Sequence, residues 1–272
     1  MEGERNILTV PLAIVVAGIF IAGAIFFSNG GGNRIEEDNS GTPAERSAGQ
    51  TASLSIRSVG TNDHIRGNPE ARLLLVEYSD TECPFCKVFH ETLKRIMNDY
   101  GKSGEVAWIY RHFPLAQLHP KAPREAEALE CAGELGGNVK FWEYTDKIFE
   151  VTPSNNGLDL AQLPLLAEEV GLEKDAFESC LDSGRNKPEV EEDYNEAVSA
   201  GGNGTPYNII IARLPFTERQ EKELRSINAE LLLRLPPGSQ DPVVISDDKT
   251  KVSIGGAFPY ELVKRIIDLL LE

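Results

Sequence analysis

Apolar positions near the start of this chain form one uninterrupted run. Residues 7–27 contain no charged residue and are almost wholly apolar. In a helix these 21 positions extend about 31 Å, close to the thickness of a bilayer's hydrocarbon core. A cleavable signal peptide is the alternative, but residues 1–6 are not basic and the run continues through Ile25-Phe26-Phe27, past the small residues suited to cleavage. We therefore expect an uncleaved transmembrane anchor at 7–27, after a short N-terminal segment at 1–6.

Residues 28–62 have no sustained apolar period. They are rich in Gly, Ser, Thr, Asn and acidic residues and begin with Ser28-Asn29-Gly30-Gly31-Gly32. Such a composition is typical of a flexible linker. Ala52–Ile56 alternates like a short strand, which leaves the end of the linker open by several residues. Residues 63–272 are long enough to form one good hydrophobic core.

The globular part opens with a strand, a helix and a second strand. Residues 72–78 form a short apolar run typical of a buried strand. The helix that follows starts near Pro84 and ends at Gly101. Residues 106–110 are the second strand, and this order predicts that the two strands pair in parallel. The apolar residues of the helix share one face, at Phe89, Leu93, Ile96 and Tyr100.

From about residue 121 to 202 the pattern is helical almost throughout, which predicts a helical insertion broken at Gly136-Gly137. A strand is expected at residues 207–211. Thr217-Glu218-Arg219-Gln220 is a capping-box start for a helix within an extra segment at about 212–241. The C-terminal part predicts a hairpin and a last helix, at residues 243–245, 251–254 and 260–271.

The composition excludes two classes of protein, nucleic-acid-binding proteins and small disulfide-rich domains. Lys and Arg total 27 against 43 Asp and Glu, so the net charge is −16 and the sequence pI is about 4.8. We expect no nucleic-acid partner, because a phosphate backbone needs a dense Lys/Arg surface. The four cysteines are too few for the disulfide framework of a small secreted domain.

Two of the cysteines form the motif Cys83-Pro84-Phe85-Cys86, where the first strand gives way to the helix. Unpaired N–H groups and the helix dipole at a helix N-terminus stabilise an anion, so the pKa of the Cys83 thiol should be lowered. Pro84 fixes the turn, and Cys86 follows one turn later, close enough to form a disulfide. We expect Cys83 to be the nucleophile and Cys86 the resolving thiol.

Two other interpretations of this motif are open. Half of a zinc site would need a second pair of ligands, but Cys131 and Cys180 are far apart and the four histidines show no HxxxH spacing. A purely structural disulfide is the other, although a four-residue loop is a poor staple. We expect no metal.

With several further segments, the motif resembles the DsbA-like thiol:disulfide oxidoreductases of the thioredoxin superfamily, over about residues 67–272. The resemblance implies an α/β thioredoxin fold with an inserted helical domain. The segment at about 212–241 departs from the family pattern, because a helix stands where the next strand would follow almost directly. The segments that carry the resemblance are Glu77-Tyr78-Ser79-Asp80, Tyr110-Arg111-His112-Phe113-Pro114-Leu115, Cys131-Ala132 with Phe141-Trp142, Gly204-Thr205-Pro206 and Gly256-Ala257-Phe258-Pro259-Tyr260.

The resemblance implies three further site residues. Pro206 looks like the family's cis-proline facing the cysteines, and the Thr205 backbone beside it would hold an extended substrate peptide. An ordinary trans turn proline is the alternative. Glu77 looks like the family's buried acid, whose pKa should be raised and which would shuttle a proton to or from Cys86. An acid that reaches solvent at the strand end is the alternative.

Pro84, Phe85, Glu82 and Lys87 are the residues expected to tune the cysteines. Strong oxidants of the family have a polar residue where this chain has Phe85. Glu82 opposes a negative charge on its neighbour Cys83, whereas Lys87, one turn along, favours it. We expect a Cys83 pKa that is lowered less than in the strongest oxidants, and a correspondingly milder reduction potential.

The remaining cysteines, Cys131 and Cys180, fall on apolar helical faces. One interpretation is two ordinary buried thiols. We favour a structural disulfide that clamps two helices of the insertion, because the expected compartment is oxidising. His112 and His119 lie in and near the loop after the second strand. We expect surface histidines there, with no catalytic role, and the alternative is that they line the substrate groove.

Anchor and resemblance together predict a membrane-anchored thiol:disulfide oxidase on the extracytoplasmic side, with residues 1–6 inside, because cytosolic thiols are kept reduced. Its substrates would be exported proteins with free cysteines. No organic cofactor is expected beyond the Cys83–Cys86 disulfide, and the family implies a membrane reoxidising partner of the DsbB or vitamin K epoxide reductase type. The alternatives are a disulfide isomerase or reductase, a non-redox peptide-binding or chaperone module, and a structural domain of a membrane assembly.

Overall fold

A computed structural model describes residues 54–272. The predicted anchor at 7–27 and the predicted linker up to residue 53 lie outside the described residues. Within residues 54–272, no helix is both long enough and apolar enough to cross a membrane. The side chain of Leu54 is buried, and Arg57 forms ion pairs with Asp193 and Glu196. The packed part of the chain therefore begins before residue 63.

A six-stranded mixed sheet forms the centre of the molecule. Its strands are β1 (His64–Arg66), β2 (Leu73–Ser79), β3 (Val106–His112), β4 (Tyr207–Ala212), β5 (Val243–Ile245) and β6 (Lys251–Gly255). The strand order is β1-β3-β2-β4-β6-β5. The β2–β3 pair is parallel, as the strand–helix–strand order predicts, and the other neighbouring pairs are antiparallel. Strand β1 was not predicted, because three residues are too few to show an alternation.

Helices cover the sheet and form the insertion. They are α1 (Pro84–Ile96), α2 (Ala122–Val151), α3 (Leu163–Glu169), α4 (Lys174–Ser183), α5 (Lys187–Ser199), α6 (Glu218–Leu232) and α7 (Tyr260–Leu271). A π-helical turn, Met97–Gly101, extends α1. Helices α2 to α5 are the predicted insertion, and the capping box at Thr217 and Gln220 starts α6 as expected.

Helix α2 is interrupted where the sequence predicts. The pattern predicts two helices separated by Gly136-Gly137, and the structure has two helical segments that meet at a kink with a non-helical residue, Gly137. Gly137 has a φ of 69°, a left-handed conformation that glycine adopts without steric cost. The helix signal was correct on both sides, and the glycine separates the two segments as predicted, although the second follows directly after the kink.

The two faces of the sheet pack against different elements. On one face, Leu73 and Leu75 of β2 lie in a large apolar cluster with residues of α1, α2, α6 and α7. On the other face, Val76 and Tyr78 contact a smaller cluster that includes residues at the end of α5. Because side chains alternate along a strand, Glu77 points to the same face as Leu75, towards the layer that contains α1.

Candidate active site

The strand–helix junction positions the Cys83-Pro84-Phe85-Cys86 motif. Cys83 is the N-cap residue of α1, and Pro84 occupies the first helical position, where the missing N–H costs nothing. The carbonyl of Cys83 accepts the N–H of Lys87 at 3.1 Å. Both cysteines are free thiols. Cys86 is fully buried and Cys83 retains 4% of its surface, so Cys83 is the one that another molecule can reach.

The two thiols have opposite pKa shifts. The hydrogen bond with Cys86 is the main cause that lowers the pKa of Cys83, to about 7, and the hydrogen bond with Thr205 adds to it. Burial opposes both effects. Burial and the contact with Cys83 raise the pKa of Cys86. Near neutral pH, Cys83 is therefore available as a thiolate while Cys86 holds its proton.

The loop that precedes β4 lies against Cys83. Its Thr205–Pro206 peptide bond is cis. The carbonyl oxygen of Thr205 lies 3.5 Å from the Sγ of Cys83, and the carbonyl of Pro206 accepts the N–H of Gly256 at 2.9 Å. The structure thus brings Thr205 and Pro206 to the reactive sulfur from a part of the chain that lies more than a hundred residues away.

Glu77 lies in the centre of the sheet and is fully buried. The Ser79 hydroxyl and the Trp108 indole N–H donate to its two carboxyl oxygens, at 2.8 and 3.0 Å. Burial raises the pKa of Glu77 to about 7 although both hydrogen bonds oppose the shift. A charge on Glu77 in turn raises the pKa of Cys86, which couples the proton on this carboxyl to the buried thiol.

His112 and His119 are both buried, which contradicts the expectation of surface histidines. Each is paired with a carboxylate: the Nε2 of His112 lies 2.7 Å from Glu130, and the Nδ1 of His119 lies 2.9 Å from Asp80. A loop position was mistaken for an exposed one, because the pattern around these histidines does not show what packs over the loop.

Asp80 is a site residue that the sequence analysis missed. Its backbone N–H lies 3.5 Å from the Sγ of Cys86. Its carboxylate accepts the N–H groups of Glu82 and Leu115, each at 2.8 Å, besides the imidazole of His119. A signal did exist: because β2 and β3 are parallel, Asp80 after β2 and the loop after β3 leave the sheet at the same edge.

Glu82 is buried, and its carboxylate does not have the expected role of opposing a negative charge on Cys83. Its carboxylate accepts the N–H groups of Gly157 and Leu158, at 3.2 and 3.1 Å. Burial, with the nearby Glu82 carboxyl, raises the pKa of Glu125 on α2 to about 8. Glu82 therefore ties the active-site turn to the insertion, and the carboxylate that opposes a charge on Cys83 is that of Asp80.

The ammonium of Lys87 is held at the C-terminal end of α2. It donates to the carbonyls of Glu150 and Thr152, at 3.2 and 2.6 Å. A cation at these carbonyls is well placed against the negative end of the helix dipole. Phe85, the other expected tuning residue, is half-buried against the apolar cluster and brings no charge.

The structure joins Cys131 and Cys180 by a disulfide that links α2 to α4. Both cysteines are buried in the large apolar cluster that also contains Leu73 and Leu75. Their pairing closes a sequence separation of 49 residues. The bond therefore clamps two helices of the insertion and lies outside the group of residues around Cys83.

Comparison with known proteins identifies the relatives of this chain. Residues 60–227 match the family model described as Thioredoxin. The Na(+)/H(+) antiporter NhaA 3 of Salinispora tropica is 33% identical over 184 residues, which cover 66% of this chain and 27% of the relative. NhaA 1 of Salinispora arenicola is 34% identical over 144 residues, or 53% of this chain and 21% of the relative. The chain spans about a quarter of the length of the curated relatives it matches.

Solved structures with a similar fold include two DsbA proteins and a BdbD. Pseudomonas aeruginosa DsbA2 matches with a TM-score of 0.54 and 25% identity, over 79% of this chain and 97% of that one. Wolbachia pipientis alpha-DsbA1 has a TM-score of 0.59 and 22% identity, over 81% and 96%. Oxidised BdbD from Bacillus subtilis has a TM-score of 0.51 and 22% identity, over 62% of this chain and 93% of that one. The chain therefore belongs to the thioredoxin family, as a DsbA-like protein whose thioredoxin fold carries a helical insertion.

Proposed function

We propose that this protein is a thiol:disulfide oxidoreductase that forms disulfides in exported proteins. The observation that carries the proposal is the contrast between its two neighbouring thiols. Cys83 lies at a helix N-terminus with a lowered pKa, and Cys86 is buried three residues later with a raised pKa. This is the arrangement that dithiol–disulfide exchange needs, with one accessible sulfur to be attacked and one that resolves.

The reaction starts from the oxidised Cys83–Cys86 pair. A substrate thiolate attacks the Sγ of Cys83, the sulfur–sulfur bond breaks, and Cys86 leaves as a thiolate and takes up a proton. A second substrate thiolate then attacks the substrate sulfur of the mixed disulfide, and Cys83 leaves as a thiolate. The substrate gives up two electrons and gains one disulfide, while the protein is left reduced at Cys83 and Cys86.

Glu77 is proposed as the proton carrier for Cys86. A carboxyl with a pKa near 7 is half-protonated at neutral pH, so it gives and takes protons equally well. It is fully buried on the face of the sheet that carries α1, and its charge is felt by Cys86. Glu77 would therefore deliver the proton that the leaving Cys86 thiolate needs.

Thr205 and Pro206 are proposed to hold the substrate. The Thr205 carbonyl lies beside the sulfur of Cys83, where an extended peptide would add its own backbone as a further strand. A substrate cysteine bound in this way would lie close to Cys83, which supplies proximity for the first attack.

We place the domain outside the cytoplasm, anchored through residues 7–27, because a disulfide-forming pair and the Cys131–Cys180 disulfide suit an oxidising compartment. The curated relatives are named as antiporters, which work in membranes, and this supports a membrane location. No organic cofactor is needed for the exchange. Turnover requires reoxidation of Cys83 and Cys86, for which we propose a membrane partner of the DsbB or vitamin K epoxide reductase type.

The test is to trap substrates with a Cys86→Ala variant of the full-length chain. Without the resolving thiol, mixed disulfides at Cys83 should accumulate and should contain exported proteins with free cysteines. The matched control, Cys83→Ala with Cys86→Ala, should trap none. An absence of mixed disulfides in the single variant, together with a wild-type chain that does not oxidise a reduced unfolded protein, would refute the proposal.

A separate measurement, the redox state of the wild-type cysteines in cells, gives the direction of the reaction. If Cys83 and Cys86 are mostly oxidised in growing cells, the protein works as an oxidase. If they are mostly reduced, it works as an isomerase or reductase with the same residues. A Cys83→Ser variant that keeps full cellular function would instead identify a non-redox binding module.

A further inference from the structure

A buried imidazole–carboxylate pair lies directly beside the cysteines. His119 comes from the loop between β3 and α2, and its Nδ1 lies 2.9 Å from the Oδ2 of Asp80. The Asp80 side chain is fully buried, and that of His119 is nearly so. Asp80 also offers its backbone N–H to the Sγ of Cys86, so the pair contacts the redox motif directly.

Apart from His119, the charged side chains near Cys83 do not favour its thiolate. The Asp80 carboxylate raises the pKa of both Cys83 and Cys86. Phe85, the residue before Cys86, carries no charge, and the ammonium of Lys87 is engaged by two carbonyls at the end of α2. The imidazole of His119 contacts the Asp80 carboxylate and, when protonated, offsets its charge.

His119 in turn responds to the charges that face it. The hydrogen bond with Asp80 raises the pKa of His119 most, burial opposes this effect, and negative charges on Cys83 and Glu82 add to it. Those groups come from the end of β2, from the turn before α1 and from the first residue of the motif. Because coupling between two titrating groups is reciprocal, a thiolate that favours protonated His119 is itself favoured by that proton.

We propose that His119, held by Asp80, is the positioning residue whose positive charge stabilises the thiolate of Cys83. The inference rests on the proposed thiol–disulfide exchange and deepens it. In that exchange Cys83 leaves as a thiolate in the second step, carrying the electron pair of the mixed disulfide. A protonated His119 lowers the free energy of this leaving thiolate, and therefore makes the Cys83–Cys86 disulfide more oxidising.

The first test is a His119→Asn variant, which keeps a side-chain N–H donor for Asp80 but carries no charge. The Cys83 thiolate is titrated by its ultraviolet absorbance and by its rate of alkylation, and the equilibrium with glutathione is measured at pH 7. We expect the Cys83 pKa to rise by about one unit, so that alkylation below that pKa slows about tenfold. The glutathione equilibrium at pH 7 should shift towards the protein disulfide by about twofold, because only about half of the wild-type Cys83 is a thiolate at that pH.

The matched control is His64→Asn, which removes another imidazole paired with a carboxylate, that of Glu130. His64 is not among the residues around the cysteines, so the Cys83 titration should be unchanged. A Cys83 titration in His119→Asn that coincides with that of the wild type overturns the proposal.

A second measurement uses the wild-type chain and so does not depend on how the variant folds. The pKa of His119 is followed by NMR in the reduced and the oxidised protein. We expect a higher pKa in the reduced form, because only that form carries the Cys83 thiolate. Equal values in the two forms overturn the proposal. A chain that does not oxidise substrates refutes the proposed function, but the pKa of His119 can still be measured in both redox forms. The two proposals can therefore fail separately.

Discussion

The described part of this chain contains two pairs of cysteines that differ in almost everything except their sulfur atoms. Cys83 and Cys86 are three residues apart at the start of α1 and are free thiols. Cys131 and Cys180 are separated by 49 residues and are joined between α2 and α4. All four side chains are buried, so burial alone does not distinguish a reactive pair from a structural one.

The burial of the ionisable neighbours makes the difference. Glu77, Asp80 and His119 are buried near the first pair, and charges on Glu77 and Asp80 raise the pKa of Cys86. The second pair lies among apolar side chains, with the neutral amide nitrogen of Asn186 at 3.4 and 3.5 Å from the two sulfurs. Its ionisable neighbour, Glu134, lies 3.6 Å from the Sγ of Cys180, but that carboxylate is exposed and paired with Arg185. A disulfide becomes switchable where the protein stabilises the thiolate that its reduction would release.

The largest expected effect separates the two pairs by activity. Cys83→Ser should reduce disulfide exchange to the uncatalysed background, because a serine hydroxyl cannot form the mixed disulfide. The measurement is the rate at which the oxidised chain oxidises a reduced unfolded protein. The control is Cys131→Ser with Cys180→Ser, which should keep this rate within about a factor of two because neither sulfur is in the site. A similar loss of rate in both variants would contradict the division between the pairs.

The free energy of unfolding should depend on the Cys131–Cys180 pair much more than on the Cys83–Cys86 pair. Removing Cys131 and Cys180 together should lower the free energy of unfolding by about 4 kcal/mol, since the disulfide closes a loop of 49 residues in the unfolded chain. Urea unfolding with the Cys83–Cys86 pair kept in one redox state would measure it. The same measurement on Cys83→Ser should show a much smaller change. A loss below about 1 kcal/mol in the double serine variant would show that the disulfide is not a clamp.

Long elements with a clear period were predictable from the sequence. The face formed by Phe89, Leu93 and Ile96 marked α1, and the capping box at Thr217 marked the start of α6. The C-terminal helix was predicted with its observed bounds. The break at Gly136-Gly137 was predictable too, whereas β1 was not, because three residues are too few to show a pattern.

The site was predictable only where the motif or strand alternation carried it. The Cys83-x-x-Cys86 spacing and the position of Glu77 in β2 are visible in the sequence. The Asp80–His119 pair is less direct, because 39 residues separate the two and the signal for their contact is the parallel pairing of β2 and β3 that brings their loops to one edge of the sheet. The orientation of Lys87 was equally hidden, since its partners lie at the far end of α2.

A third prediction concerns the carboxyl beneath the reactive pair. Burial raises the pKa of Glu77 to about 7 from 4.5, so the folded state keeps a proton that the unfolded chain releases above pH 4.5. Stability contributed by this group is therefore present below pH 4.5 and is lost as the pH rises through 7, by about 3 kcal/mol in all. Glu77→Gln cannot ionise, so its unfolding free energy relative to the wild type should rise between pH 5 and pH 8.

The measurement is urea unfolding of both proteins across this pH range, with the cysteines reduced. Glu125→Gln is the control, because the pKa of Glu125 is raised to about 8 and its effect should extend to higher pH. A difference between Glu77→Gln and wild type that does not change with pH would show that Glu77 ionises normally. In that case it would lose its proposed role as the proton carrier for Cys86.

The smallest expected effect comes from Lys87, which lies next to the reactive pair in sequence but contacts the insertion in the structure. Lys87→Met keeps most of the aliphatic length and removes the ammonium that donates to the carbonyls of Glu150 and Thr152. The unfolding free energy should fall by about 1 kcal/mol, typical for a cation at a helix C-terminus. The titration of Cys83 should not move, because its thiolate depends on Cys86, Thr205 and the His119–Asp80 pair. A rise in the Cys83 pKa without a loss of stability would reverse this assignment, and would make Lys87 the cation that activates the first pair.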